Sequence, residues 1–171
     1  MKTATMETGE SAKTSPYQEV YLHPGQIYIS ADPVQISMIL GSCAGVCLYD
    51  RRKAIGGATH YMLPQWDGPG TPSTRYGDVA LDMLLRQFQV HGSKPSDLEA
   101  KIFGGACMFQ AFRPEAGGED HIGLRNIQIA LQTFSRLGII IAARDTGGEN
   151  GRKIKMQSDT GTVAVSVIRN S

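Results

Sequence analysis

Residues 44–60, Ala44-Gly45-Val46-Cys47-Leu48-Tyr49-Asp50-Arg51-Arg52-Lys53-Ala54-Ile55-Gly56-Gly57-Ala58-Thr59-His60, decide the fold class. The run 44–49 is short and nearly continuously apolar, the length of a buried strand, and the polar cluster 50–53 ends it. Residues 54–59, small and apolar, read as the returning strand of a hairpin. With the turn at 50–53, the return brings residue 60 back beside residue 43. Directly opposite side chains on paired strands stand roughly 5 Å apart at Cβ, within reach of a side-chain hydrogen bond.

Upstream, Pro24-Gly25 marks a turn, and residues 26–30 and 34–40 are β-prone runs separated by Asp32-Pro33. Downstream, residues 65–74 are polar and broken by Gly and Pro, a surface loop. Residues 76–90 place Ala80, Met83, Leu84 and Phe88 on one helical face, with Asp78 in the first turn and Gly92 past the end. A strand over 98–103 stops at Gly104-Gly105, and 111–120 is a loop. Residues 122–137 form a second helix with Ile127, Ala130, Leu131 and Phe134 on one face, followed by Gly138. Strands over 139–144, 153–156 and 162–168 complete the pattern, with a Gly-rich turn at 145–151. Strands outnumber helices.

The chain has 171 residues, enough for one domain. Residues 1–16 are rich in Thr, Ser, Lys and Glu and are expected to be a disordered tail ahead of a single domain over 17–171. Seventeen Lys and Arg against sixteen Asp and Glu give a net charge of +1, which argues against electrostatic binding of nucleic acid. Three cysteines are too few and odd in number for a disulfide framework. No secretory signal opens the chain, and the longest apolar stretch, 137–143, is far short of the roughly 18 residues of a membrane span. A cytoplasmic protein that is not membrane-embedded is expected.

Cys43 follows Gly41-Ser42 at the mouth of a strand, where a tight turn can present backbone N–H groups to an oxyanion. Composition alone favours the bland alternative, a small buried apolar residue. His60 is the candidate base, and a neighbouring imidazole can lower a thiol pKa well below 8.5; it is equally readable as a core or surface histidine. Ser37 and Thr59 offer hydroxyls that could orient the imidazole. His23, His91 and His121 fall at a turn, a helix end and a helix start and read as structural or solvated. A metal held by Cys43 and Cys47 is excluded by the strand reading, which separates them by about 13 Å. Gly104-Gly105 matches neither a dinucleotide nor a P-loop pattern, Asp145-Thr146-Gly147-Gly148 reads as a pocket lining or a simple turn, and no cofactor is expected.

An ordered set of motifs resembles the CheD chemoreceptor glutamine deamidases. It runs through Leu40-Gly41-Ser42-Cys43, Gly56-Gly57-Ala58-Thr59-His60-Tyr61-Met62-Leu63-Pro64, Arg75-Tyr76-Gly77-Asp78 and Lys101-Ile102-Phe103-Gly104-Gly105-Ala106. It continues through Ile122-Gly123-Leu124-Arg125-Asn126 and Asp145-Thr146-Gly147-Gly148 with Gly151-Arg152. The resemblance covers roughly residues 20 to 165. It implies an α+β fold of two packed β-sheets with about three flanking helices, similar to the catalytic domain of cytotoxic necrotizing factor deamidases. It implies a cysteine hydrolase that converts particular receptor Gln side chains to Glu, with Cys43 as nucleophile and His60 as base. The family's third residue, a Thr, is replaced by Ser37, and the usual acidic residue of the Ile-Gly-x-Arg-Asn motif is replaced by Leu124. The implied partners are methyl-accepting chemotaxis receptors and a CheC-type phosphatase, and the same site suits hydrolysis of a receptor Glu methyl ester. Two other readings stand beside it: a regulatory partner of that phosphatase with little catalytic role, and a cysteine amidase acting on a small molecule.

Overall fold

In the computed structural model, which describes residues 16–108 and 121–169, nine strands and two α-helices follow one another among the described residues. The order is β1 (Gln18–Tyr21), β2 (Ile27–Ser30), β3 (Val34–Leu40), β4 (Ala44–Asp50), β5 (Ile55–Tyr61), α1 (Gly77–Val90), β6 (Leu98–Gly104), α2 (Ile122–Leu137), β7 (Ile140–Thr146), β8 (Gly151–Gln157) and β9 (Val163–Ile168). Residues 1–15 of the expected tail and residues 111–120 of the expected loop lie outside the described residues.

The strands form two mixed sheets. One is four-stranded, β1-β3-β8-β9, and the other five-stranded, β2-β5-β4-β6-β7. Pairing is antiparallel except for β1 with β3 and β6 with β7. Side chains alternate across each sheet, and the alternation sorts the core into two layers. Ile36, Met38 and Leu40 of β3 and Ile154 and Met156 of β8 meet Cys47, Ala58 and Phe103 in the gap between the sheets. The other face of the five-stranded sheet, carrying Val46, Leu48 and Ile102, receives Ala80, Leu81, Leu84 and Phe88 of α1 and Ile127, Ala130 and Phe134 of α2. Full burial of side chains such as Phe88 or Leu84 stabilises by about 1.5–3 kcal/mol each. The layers are therefore helices, sheet, sheet.

The structure differs from expectation in three places. The described residues hold two α-helices and a three-residue 3-10 turn, Pro95–Asp97, where about three helices were expected. Both helices cover the same sheet. Met83 is 42% exposed, and Leu81 is buried in its place, because the face docked on the sheet is the one shared by Gly77, Ala80, Leu84 and Phe88. β1 was not anticipated: Gln-Glu-Val-Tyr is mostly polar, and Val20 is its contribution to the core between the sheets.

The α2 boundaries agree with expectation. The His121 ring accepts the Leu124 N–H at 3.2 Å, and Gly138 closes the helix in the left-handed conformation at φ 69°. No helix among the described residues is long and apolar enough to cross a membrane.

The chain changes sheet four times, at residues 22–26, 31–33, 41–43 and 147–150. Three of these crossovers meet at one end of the sandwich. There the Gly25 N–H bonds to His60 O at 2.7 Å and the Gly147 N–H to Gly104 O at 2.9 Å, while Ala44 pairs with both Tyr61 and Gly104.

Candidate active site

Cys43 sits in the crossover from β3 to β4. All three carbonyls of Gly41-Ser42-Cys43 are held. Gly41 O accepts the Ala106 N–H at 3.0 Å and Cys43 O the Gly105 N–H at 2.9 Å, and Ser42 O accepts from Asn126 Nδ2 at 3.0 Å. The contact with β6 requires glycine at 104. Its φ is +98°, and a Cβ there would stand 2.2 Å from Cys43 O. Among the described residues, neither the Ser42 nor the Cys43 N–H is given to a backbone carbonyl. The turn is thus anchored through its acceptors, and among the described residues its donors are not given to any backbone carbonyl, as an oxyanion site requires.

His60 is brought to the same end by β5, opposite Gly45 rather than opposite residue 43. The two-residue displacement has a local cause. Asp50 stays in β4 because its buried carboxylate accepts the N–H groups of Arg52 and Lys53 and the Ser93 hydroxyl. The turn therefore occupies 51–54, with Ala54 at φ 54°. Cys43 and His60 become diagonal neighbours, both on the side facing the four-stranded sheet, where Cys43 packs with Cys47 and Ala58. Between them Gly45 leaves room, since a Cβ there would meet Met38 Sδ at 2.6 Å.

The imidazole is fixed by the backbone. His60 Nδ1 lies 3.1 Å from Leu22 O, in the first crossover. A carbonyl can only accept, so Nδ1 carries the proton and Nε2 the free lone pair. Nε2 is buried and makes no hydrogen bond among the described residues, so the thiol and the imidazole are not bonded in this state. Burial lowers the His60 pKa from its ordinary 6.5; the Leu22 bond opposes this and nearby His23 adds to it. Burial likewise raises the Cys43 pKa above 9.0, opposed by the residue's own backbone N–H. The expected lowering of the thiol by its partner is absent. At neutral pH the site holds a neutral thiol and a neutral imidazole, the starting state for general-base activation rather than a preformed ion pair.

The two candidate orienting hydroxyls lie elsewhere. Ser37 alternates with Ile36 and Met38, and its side chain leaves β3 on the outer face, in register with Tyr21 and Lys155. Its backbone carbonyl accepts the Leu22 N–H at 2.8 Å. Thr59 shares the helix-facing side with Val46, and its hydroxyl donates to Gln26 O at 3.4 Å. Cys47 is buried, with its pKa pushed up to about 12. Cys107 is half-buried, its N–H bonded to Gly148 O. His121 is a helix cap, whereas His23 packs its ring 4.8 Å from Tyr21 and acts electrostatically on His60.

Sequence reasoning missed three contributors. Leu22 acts through its backbone and gives no side-chain signal. Arg152, 7% exposed, pairs with Asp145 at 3.0 Å and donates to Gly147 O at 2.8 Å and Gly104 O at 3.4 Å, clamping the 147–150 crossover to β6. Asn126, fully buried on α2, donates to Met62 O at 2.8 Å as well as to Ser42 O, which leaves its Oδ1 buried without a partner among the described residues. An orphaned acceptor of this kind costs about 1–3 kcal/mol. Both side chains stand in motifs of the resemblance, which was the available signal.

Comparison with known proteins identifies the family. Residues 62–167 match the family described as CheD chemotactic sensory transduction. The match begins beyond Cys43 and His60, so those two residues are read from the site itself. The chain is 39% identical over 149 residues to a probable chemoreceptor glutamine deamidase CheD of Trichlorobacter lovleyi, covering 87% of this chain and 90% of the relative. It is 37% identical over 155 residues to one of Sulfurimonas denitrificans, covering 91% and 97%. It is 42% identical over 151 residues to one of Rhodospirillum rubrum, covering 88% and 83%.

Proposed function

The chain belongs to the CheD family, and from that premise we propose that it is a protein-glutamine deamidase of chemotaxis receptors, with Cys43 as nucleophile and His60 as general base and acid. One observation carries the reading: a histidine whose Nδ1 is tied to a carbonyl and whose Nε2 has no partner among the described residues, beside a cysteine whose turn gives no N–H to a described backbone carbonyl.

Each step follows from that arrangement. Nε2 takes the Sγ proton as the sulfur attacks the carboxamide carbon of a receptor Gln. The oxyanion is held by the N–H groups of the Ser42–Cys43 turn, each worth about 3 kcal/mol of barrier. The imidazolium returns its proton to the leaving nitrogen and ammonia departs, leaving a thioester. Nε2 then takes a proton from water, whose oxygen attacks the thioester. The thiol is regenerated and the product is Glu. A receptor Glu methyl ester would follow the same course with methanol as leaving group.

In this reading residues 17–171 act as one deamidase domain in the cytoplasm, with the fold of the cytotoxic necrotizing factor catalytic domain. A CheC-type phosphatase is its regulatory partner. Ser37, offered at the outset as the orienting residue, contributes through its carbonyl by holding Leu22, whose own carbonyl orients the ring.

The test is mass spectrometry of a receptor cytoplasmic fragment incubated with the protein. Replacement of NH2 by OH raises the mass of the modified Gln peptide by about 1 Da. That shift, with ammonia release and lost in Cys43→Ala, is expected. Release of ammonia from free glutamine with none from the fragment would favour a small-molecule amidase instead.

A further inference from the structure

We propose that Asn126 is a positioning residue that aims the Cys43 N–H at the oxygen of the reacting carboxamide, by holding the Ser42 carbonyl on the opposite side of the same peptide. This rests on the deamidase reading of the site and adds to it the residue that builds the oxyanion donor.

The geometry begins at a fork. β4 and β5 pair as far as Ala44 and Tyr61 and then part. Cys43 O turns to Gly105, and the Met62 N–H turns to Arg75 O at 2.8 Å. The Asn126 amide bridges the two prongs, one N–H to Ser42 O and the other to Met62 O. Two carbonyl acceptors fix which end of the amide faces the fork, because an oxygen there would face two oxygens. Oδ1 is left buried and unpaired, so the amide keeps this orientation at a cost that the packing of α2 sustains. The helix itself is anchored at the same residue, where the Tyr61 hydroxyl donates to the Asn126 main-chain carbonyl.

The consequence for the nucleophile follows from peptide planarity. No peptide bond among the described residues is cis. In a trans peptide the carbonyl of one residue and the N–H of the next point in opposite directions. Drawing Ser42 O toward α2 therefore turns the Cys43 N–H away from α2. That N–H lies against the residue's own sulfur, where it partly offsets the rise of the thiol pKa. An N–H beside the attacking sulfur is also beside the oxygen of the carbon being attacked. No other bond among the described residues holds Ser42 O, so the direction of this donor depends on Asn126.

The experiment compares Asn126→Ala, Asn126→Ser and Tyr61→Phe with the wild type in two assays. One is steady-state deamidation of a receptor fragment. The other is the pH profile of Cys43 alkylation by iodoacetamide, which needs no receptor and reads the site even if the deamidase assignment fails. For Asn126→Ala the expected result is a kcat lower by about tenfold or more with KM little changed, since an oxyanion donor acts in the transition state. Its alkylation profile shifts to higher pH. Asn126→Ser, which keeps one short donor, falls between. Tyr61→Phe removes the bond to the Asn126 main-chain carbonyl and keeps both bonds of the side-chain amide, so it lowers the melting temperature and leaves the alkylation profile in place. An unshifted alkylation profile in folded Asn126→Ala overturns the proposal. So does the same shift in Tyr61→Phe, or failure of both Asn126 variants to fold, either of which would make the residue part of the general packing.

Discussion

Strand β3 is entered and left by a change of sheet, and the two crossovers treat their backbone donors in opposite ways. At the entry, residues 31–33, the donors are taken up locally. The Val34 N–H goes to Ser158 Oγ at 2.9 Å, that hydroxyl donates to Asp32 O at 2.9 Å, and the Ser158 N–H returns to Val34 O at 2.9 Å. The Asp32 N–H goes to Ser30 Oγ at 3.0 Å. At the exit, residues 41–43, the carbonyls are held just as firmly, but among the described residues no backbone carbonyl takes the N–H of Ser42 or Cys43. Rigid acceptors with open donors distinguish a site from a connection: fixing a carbonyl fixes the donor on the next residue without consuming it.

The largest effect that would sharpen this contrast is loss of the nucleophile. Cys43→Ala should reduce deamidation by about 10⁴-fold or more, while Cys47→Ala and Cys107→Ala keep most of it in the same ammonia-release assay. Equal losses in three folded variants would deny the exit crossover its special status.

Next comes the base. His60→Ala should cost about 10²–10⁴-fold in kcat/KM. In the wild type the acid limb of kcat/KM should fall below 6.5 and the alkaline change above 9.0, because burial lowers the imidazole and raises the thiol. Stability follows the same ring. The folded chain keeps His60 neutral at a pH where the unfolded chain already protonates it. The unfolded state then binds more protons, and stability is lost as pH falls from 6.5 through the folded value. Thermal melts of wild type and His60→Ala across that range should converge at low pH. An acid limb at or above 6.5 would break the assignment of Nε2 as the base.

A smaller effect, opposite in kind, is expected at the entry. Ser158→Ala removes the acceptor of a buried N–H and should destabilise by about 1–3 kcal/mol in denaturant titration, with kcat unchanged per folded molecule. A fall in kcat at unchanged stability would mean that the two crossovers are not separable.

Much of this was readable from residue patterns. Apolar period gave α2 its boundaries and β4 and β5 their pairing, because those elements bury one face and repeat accordingly. The nearness of Cys43 and His60 followed from the hairpin but was displaced by two residues. Asp50 looks like a turn residue and is in fact a strand residue whose carboxylate organises the turn after it. Leu22 and the fork at Asn126 were beyond such reading. One acts through a carbonyl that every residue possesses, and the other acquires its role only when α2 docks on the opened hairpin.

The smallest expected effect concerns Ser37, and it tests how the ring is oriented. The Ser37 hydroxyl leaves β3 on the face away from His60, beside Tyr21 and Lys155. What links Ser37 to the imidazole is its backbone. Ser37 O holds the Leu22 N–H, and Leu22 O holds His60 Nδ1. Removing the hydroxyl keeps both of these bonds. Ser37→Ala should therefore lower kcat by less than the roughly tenfold that loss of one neutral hydrogen bond to the ring would cause. Ser37→Thr should be tolerated, since a β-branched residue suits the strand and the carbonyl is unchanged. Thr59→Ala should behave in the same way as Ser37→Ala, because its hydroxyl points toward the helices and bonds Gln26 O. All three rates can be read on one receptor fragment. A hundredfold loss in Ser37→Ala at unchanged melting temperature would mean that the hydroxyl reaches the imidazole during turnover, and the Leu22 carbonyl would then lose its place as the group that sets the tautomer.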